Sequence, residues 1–181
     1  MTDRLRREVR YLKELGVLQN IVDHRLEYER GAILVTCADG DRFPDVFTHQ
    51  ARLQERNGHP LRLHTLSWNG GALILAPRSP AVKRGRTTDL DAIDQIRTAR
   101  EMKGINTVAL HIHTPCGVAH ALNLDLASSL ELHMAAKLRL RSVIDGVCVT
   151  CFLHVDFGEG KMKTYYVSRE QWERSRSLRS L

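Results

Sequence analysis

An α/β fold with a largely parallel central sheet is what this sequence predicts, and three observations carry that expectation. Short, nearly continuous apolar runs at Gly31–Cys37 and Ile105–His113 look like strands buried on both faces. Helical periodicity follows each of them, as a crossover between parallel strands requires. Gly158-Glu159-Gly160 separates two further apolar runs as the tip of a hairpin. Helices on both faces of such a sheet give a three-layer α/β/α arrangement. The 181 residues are 43% hydrophobic, which suits one domain over 1–181, with a helical arm over 1–28 ahead of an α/β core over 29–181.

The elements follow in chain order. Leu5, Val9 and Leu12 recur at helical spacing on a charged segment that Gly16 ends, so residues 3–15 form an amphipathic helix, and a second helical piece runs from Val17 to about Arg25. A basic helix ahead of the main fold either reaches a partner subunit or covers its own sheet. After the strand ending at Cys37 comes a polar turn, Ala38 to Arg42. Pro44 then suits a first helical turn, with Val46, Phe47, Ala51 and Leu53 as its apolar stripe before Asn57-Gly58. Leu61–Leu66 alternates as a second strand, and Trp68-Asn69-Gly70-Gly71 turns the chain into the apolar run Ala72 to Ala76.

Residues 77–87 combine proline, glycine and four cations, the pattern of a mobile surface loop. Thr88 is placed to cap a helix whose buried stripe is Leu90, Ile93 and Ile96. Leu122, Leu126, Leu130, Met134 and Leu138 stand four apart, which predicts one long helix over about 118–140 with Cys116 near its first turn. Gly146–Phe157 and Met162–Val167 form the hairpin, and Ser168-Arg169-Glu170-Gln171 is a capping-box pattern for a last helix.

Charge excludes more than it assigns. The net charge of +6 permits polyanion binding, but no aromatic platform alternates with the basic runs, so solvated helix faces are expected and nucleic acid is not. No run approaches the roughly 20 apolar residues of a membrane span, and the basic N-terminus has no apolar core behind it, so a cytoplasmic protein without a signal peptide is expected. Four cysteines in such a chain are thiols or metal ligands rather than disulfides.

In open parallel sheets, sites form where the loops leave the carboxyl ends of the strands. Cys37 and His113 both sit at such ends, and Cys116 lies just beyond, where a helix dipole favours thiolate. Two cysteines and a histidine are a known donor set for catalytic zinc that leaves a fourth position open. His111 shares a strand face with His113 and is an alternative ligand; His113 has the spacing to Cys116 that fits. Cys148 and Cys151, three apart on a strand, face opposite ways and cannot chelate one ion without a bulge. His24, His49, His59, His64, His120, His133 and His154 have no ligand spacing, and His49 or His64 is a proton shuttle only if it reaches the mouth of the site.

Cys37-Ala38-Asp39 followed by His113-Thr114-Pro115-Cys116-Gly117 resembles the β-class carbonic anhydrases, whose signature is Cys-x-Asp-x-Arg and then His-x-x-Cys-Gly. Asn69-Gly70-Gly71, where that family has an Asn-Ala-Gly turn, and the closing hairpin extend the resemblance over roughly residues 31–167 in element order. The resemblance implies a β-carbonic anhydrase-like fold, zinc on Cys37, His113 and Cys116, and hydration of carbon dioxide to bicarbonate by hydroxide formed at the metal. It also implies a homodimer or higher homo-oligomer with sites near the subunit interface. Asp39 inherits the role of hydrogen-bond acceptor or, in a closed form of the site, of fourth zinc ligand. The chain departs from the pattern at Asp41, where the arginine should stand, so Arg42 becomes the partner of Asp39 or of Asp41; Ile112 replaces a frequent glycine. Two further readings follow from the same residues: a carbonyl sulfide or carbon disulfide hydrolase on this scaffold, and a non-catalytic zinc protein closed by Asp39.

Overall fold

The computed structural model describes residues 2–21, 30–56 and 61–179. The elements run α1 (Asp3–Glu14), β1 (Leu18–Gln19), β2 (Ala32–Cys37), α2 (Phe43–Arg56), β3 (Leu63–Trp68), a 3-10 turn (Gly71–Leu75), α3 (Thr88–Lys103), β4 (Thr107–Thr114), α4 (Gly117–Ala121), α5 (Leu126–Val143), β5 (Cys148–Asp156), β6 (Met162–Val167) and α6 (Arg169–Arg179). The six strands form one sheet in the order β1-β6-β5-β4-β2-β3. β3, β2, β4 and β5 are mutually parallel, and β6 and β1 add on antiparallel. The predicted α/β class with a mostly parallel sheet is therefore the observed one.

Period-two alternation divides the strands between two apolar layers. Ile33, Val35, Leu110, Ile112 and Leu153 join α3, α5 and the 3-10 turn in the larger cluster. Ala32, Leu34, Ala109 and Phe152 pack on Val46 and Leu53 of α2 in the smaller one. Every residue of β2 is buried, which is why it reads as unbroken hydrophobic sequence. The arm helix closes on its own chain: Thr2 caps α1, and Val9 and Leu12 enter the larger cluster.

Several boundaries differ from expectation, each for a physical reason. Residues 17–20 do not continue as helix. Gly16 takes φ +71° and turns the chain, so that Leu18 and Gln19 pair with Val167 and Tyr166 along the open edge of β6. The remainder of that expected helix, with Asn57-Gly58, His24 and His59, lies outside the described residues. The long helix is two helices, α4 and α5. Asn123 adopts φ +54°, and the Asp125 carboxylate accepts the Ser128 amide at 2.8 Å as the N-cap of α5. The leucine spacing ran through this break because Leu122, Leu124 and Leu126 are all at least partly buried. Leu90 and Leu138 are exposed, and Ala92 and Ala99 complete the buried stripe of α3 instead. Thr87, not Thr88, precedes α3, and its hydroxyl donates to the Asp91 carboxylate at 3.3 Å. Ser168 accepts the Gln171 amide at 3.4 Å, as the capping pattern predicts.

Part of the basic surface is ion-paired along helices: Arg4 with Glu8, Arg169 with Glu173 and Arg174 with Glu170, all at i,i+4 spacing. No helix among the described residues is long and apolar enough to cross a membrane.

Interior histidines make stability depend on pH: His111, His133 and His154 are all held below the ordinary value, chiefly by burial. His133 of α5 is wholly buried and its Nε2 lies 3.3 Å from the Leu110 carbonyl, so the neutral Nε2–H tautomer donates there. Burial pushes its pKa down to about 3, outweighing that hydrogen bond, which favours the charged form. With the folded value below the ordinary 6.5, the unfolded chain binds the extra proton first, and stability is lost as pH falls from about 6.5 towards 3. His133→Gln is expected to make the urea midpoint less steep against pH in that window, with His111 and His154 retaining the rest of the slope. An unchanged slope would show that other groups govern acid unfolding.

Candidate metal centre

β2 and β4 are adjacent and parallel, so their carboxyl ends open at one edge of the sheet. Cys37 is the last residue of β2 and His113 the penultimate residue of β4. The chain then passes through Thr114 and Pro115 to Cys116, which precedes α4. All three side chains are buried, and one donor atom from each lies within 4.8 Å of the others. A tetrahedral zinc ion with bonds of about 2.0–2.3 Å needs donor-to-donor edges of about 3.6–3.8 Å, which this triangle admits with small rotamer changes.

The donors interact chiefly with one another. Both ring nitrogens of His113 are buried without a hydrogen-bond partner, a cost of a few kcal/mol that coordination would remove. Ala119, Val118 and Leu124 pack around the two thiols, lowering the local dielectric. The Cys37 thiol is held well below its ordinary pKa, first by a hydrogen bond from Cys116 and then by His113 and the Gly70 amide, against the opposing effect of burial. Cys116 is correspondingly pushed up by its bond to Cys37 and by burial. The two sulfurs thus share a proton that a cation would displace. Two thiolates and an imidazole are a zinc donor set, and the residues fit that ion.

The Asn69-Gly70-Gly71 turn is packed against the end of β2. A β-carbon on Gly71, which takes φ +54°, would stand 2.6 Å from the Cys37 amide nitrogen. Only glycine permits that approach.

The remaining expected site residues surround this triangle. Asp39 accepts the Asp41 amide at 3.0 Å through Oδ1, while Oδ2 lies 3.9 Å from His113 Nε2. Arg42 reaches neither Asp39 nor the Asp41 carboxylate. Its guanidinium contacts Asp156 Oδ2 at 2.6 Å and the Asp41 carbonyl at 3.4 Å. His111 points away from the triangle into the α2 layer, with Gln50 at 2.7 Å and its ring stacked on Phe152 at 4.8 Å. His49 packs edge-on to Phe152, and His64 sits half-buried on edge strand β3. Cys148 is exposed and Cys151 fully buried, the opposite facing expected of them.

Two neighbours were not anticipated from sequence. Asp156 ends β5, and His154 pairs in register with His113 while lying 3.0 Å from the Thr164 hydroxyl and 3.5 Å from Asp45. The signal was present: β5 is a third parallel strand, and the carboxyl-end rule that singled out Cys37 and His113 applies to it equally. A pocket of about 430 Å³ opens beside His113 and Cys116, walled by Ile112, Ala119 and Leu124 and rimmed by Arg4, Glu8 and His120.

Fold and site together define a three-layer α/β protein with a buried Cys-His-Cys cluster at the carboxyl end of its sheet. No protein-family model and no curated protein sequence matches the chain. Among solved structures, it is similar to a carbonic anhydrase from Streptococcus mutans, at 16% identity over 93% of this chain and 99% of that one, with a TM-score of 0.45. It is likewise similar to β-carbonic anhydrase isoform I of Trichomonas vaginalis, at 10% identity over 92% and 99% of the two chains, TM-score 0.43. A third, a β-carbonic anhydrase of Aspergillus fumigatus, matches at 14% identity over 96% and 89%, TM-score 0.37.

Proposed function

We propose that this chain is a cytoplasmic, zinc-dependent carbonic anhydrase, hydrating carbon dioxide to bicarbonate and a proton, and that it works as a homodimer. The observation that carries the reading is the convergence of Cys37, His113 and Cys116 within 4.8 Å at the ends of two adjacent parallel strands. Zinc, when bound, supplies a Lewis acid that brings the pKa of water to about 7.

The chain's own residues do the rest. Cys37 and Cys116 lend anionic sulfur, and neutral His113 completes the donor set. Asp39, with Oδ1 occupied by the Asp41 amide, has Oδ2 on the His113 side, where it can accept a hydrogen bond from the attacking water and orient it. Ile112, Ala119 and Leu124 provide an apolar wall suited to an uncharged linear substrate. The product bicarbonate leaves as an anion, past the pocket rim that carries Arg4 and His120.

A second reading has an observation of its own. Because Arg42 is engaged by Asp156, no guanidinium among the described residues holds Asp39 back, and in this reading Asp39 closes the donor set as a fourth ligand in a non-catalytic zinc protein. Stopped-flow hydration on protein of measured zinc content separates the two. Carbon dioxide turnover that rises with pH supports the enzyme; full zinc occupancy with none, even at alkaline pH, supports the closed site. Sulfide release from carbonyl sulfide without carbon dioxide turnover would reassign the substrate.

A further inference from the structure

The basic loop over 77–87 has no part in the chemistry above, yet it builds a pocket of its own. The segment between the 3-10 turn and α3 folds back on the end of β3. Trp68, Asn69, Ile74, Ala81, Lys83 and Arg86, with Thr88 at the start of α3, line an open pocket of about 410 Å³. That lies within the range of about 300–1,000 Å³ that small-molecule sites occupy.

Its charge is arranged at a cost. The Arg86 amide donates to the Lys83 carbonyl at 3.0 Å, closing a turn in which Gly85 takes φ +77°. An i to i+3 turn brings the two backbones within about 7 Å, so both cations reach the same pocket wall. Neither side chain has an ion pair or hydrogen bond among the described residues. The nearest acidic residues are otherwise engaged, Asp89 with Arg139 at 2.8 Å and Asp91 with the Thr87 hydroxyl at 3.3 Å. Two like charges on one exposed rim repel weakly through solvent, and an anion between them reverses the sign of that interaction.

The same lining has an apolar part. Trp68 and Ala81, partly buried against the core over Ile74, add aromatic and aliphatic surface to the pocket that the cations border. An inorganic anion alone would leave that surface wet. We propose that this pocket binds a phosphate ester carrying a flat, apolar group, the class to which nucleoside monophosphates belong, with Lys83 and Arg86 on the phosphate and Trp68 against the ring. Arginine and lysine suit a phosphate as fork and point charge, and indole suits a stacked base.

The site adjoins the metal centre through one strand end. Trp68 pairs in register with Cys37, and its carbonyl accepts the Ala38 amide at 3.0 Å. Occupancy would therefore stiffen the turn that carries Asp39. The binding claim does not depend on that coupling or on the activity proposed above, since neither cation is among the metal donors.

Calorimetric titration of the zinc-loaded full chain with adenosine monophosphate, inorganic phosphate and adenosine tests the assignment. Saturable one-to-one binding of the nucleotide is expected, with phosphate and adenosine each at least about tenfold weaker, and with affinity falling as salt rises. Lys83→Ala/Arg86→Ala should weaken the nucleotide about tenfold or more while leaving circular dichroism unchanged, because both residues are exposed. Trp68 emission, read in a Trp172→Phe background, should change on saturation. No heat with the nucleotide, or equal affinity in the double variant, overturns the proposal. Phosphate binding as tightly as the nucleotide overturns the role given to Trp68.

Discussion

Cys37→Ser is expected to reduce zinc affinity by at least about a hundredfold, since removing one of three donors forfeits a large share of the roughly 10–16 kcal/mol available from such sites. The hydroxyl is a far weaker ligand than the thiolate, and Cys37 is the sulfur whose ionisation the site already favours. His113→Ala and Cys116→Ser should behave alike, whereas Cys148→Ser, at an exposed position on the far end of β5, should retain full zinc. Competition against a chromophoric chelator reads all four. Zinc bound equally well by Cys37→Ser would remove the metal centre and the proposed activity together. Loss of zinc by Cys148→Ser as well would point instead to general unfolding.

Gly71→Val should cost about 3 kcal/mol or more of folding stability, among the larger single-residue effects. Two penalties act at once: a β-branched residue at φ +54°, and a β-carbon 2.6 Å from the Cys37 nitrogen and 2.9 Å from the Thr36 carbonyl carbon. Both obstacles are backbone inside a fully buried strand, so neither can move aside as a flexible side chain would. Gly40→Ala is the control: a β-carbon there meets nothing within 4 Å and the backbone is not left-handed. Urea midpoints should separate the two by several tenths of a molar at least. Equal midpoints would mean that the 3-10 turn does not pack on β2 as described. Because the strain falls on Cys37, the valine variant should also bind zinc more weakly than its residual stability alone explains.

Much of the architecture was readable because its determinants are local. β2 and β4 announce themselves as apolar runs, the hairpin by its glycines, and α6 by Ser168 and Gln171. The clustering of Cys37, His113 and Cys116 was readable too, since each sits where a strand ends or a helix begins, and strand ends in a parallel sheet converge. Periodicity misled where a local interruption left the apolar spacing intact. Asn123 and Asp125 stop one helix and start another without breaking the leucine pattern, and Gly16 turns residues expected to be helical towards an edge strand.

Sequence alone therefore determined the class of fold, most of its elements and the clustering of Cys37, His113 and Cys116, because these depend on spacing and on residue chemistry. Only the tertiary structure decided who partners whom around that set. Arg42 has Asp39 and Asp41 beside it in the chain, yet it pairs with Asp156, 114 positions away, at 2.6 Å. The order β5-β4-β2 brings the end of β5 to the start of α2, and a partly buried guanidinium takes the carboxylate whose geometry satisfies it, not the one nearest in sequence. The same holds for Lys83, Arg86 and Trp68, which meet around one pocket because the chain folds back over the end of β3. Pairing across a sheet is fixed by strand order and register, which arise from summed packing over the whole core and leave no local mark on the residues they bring together.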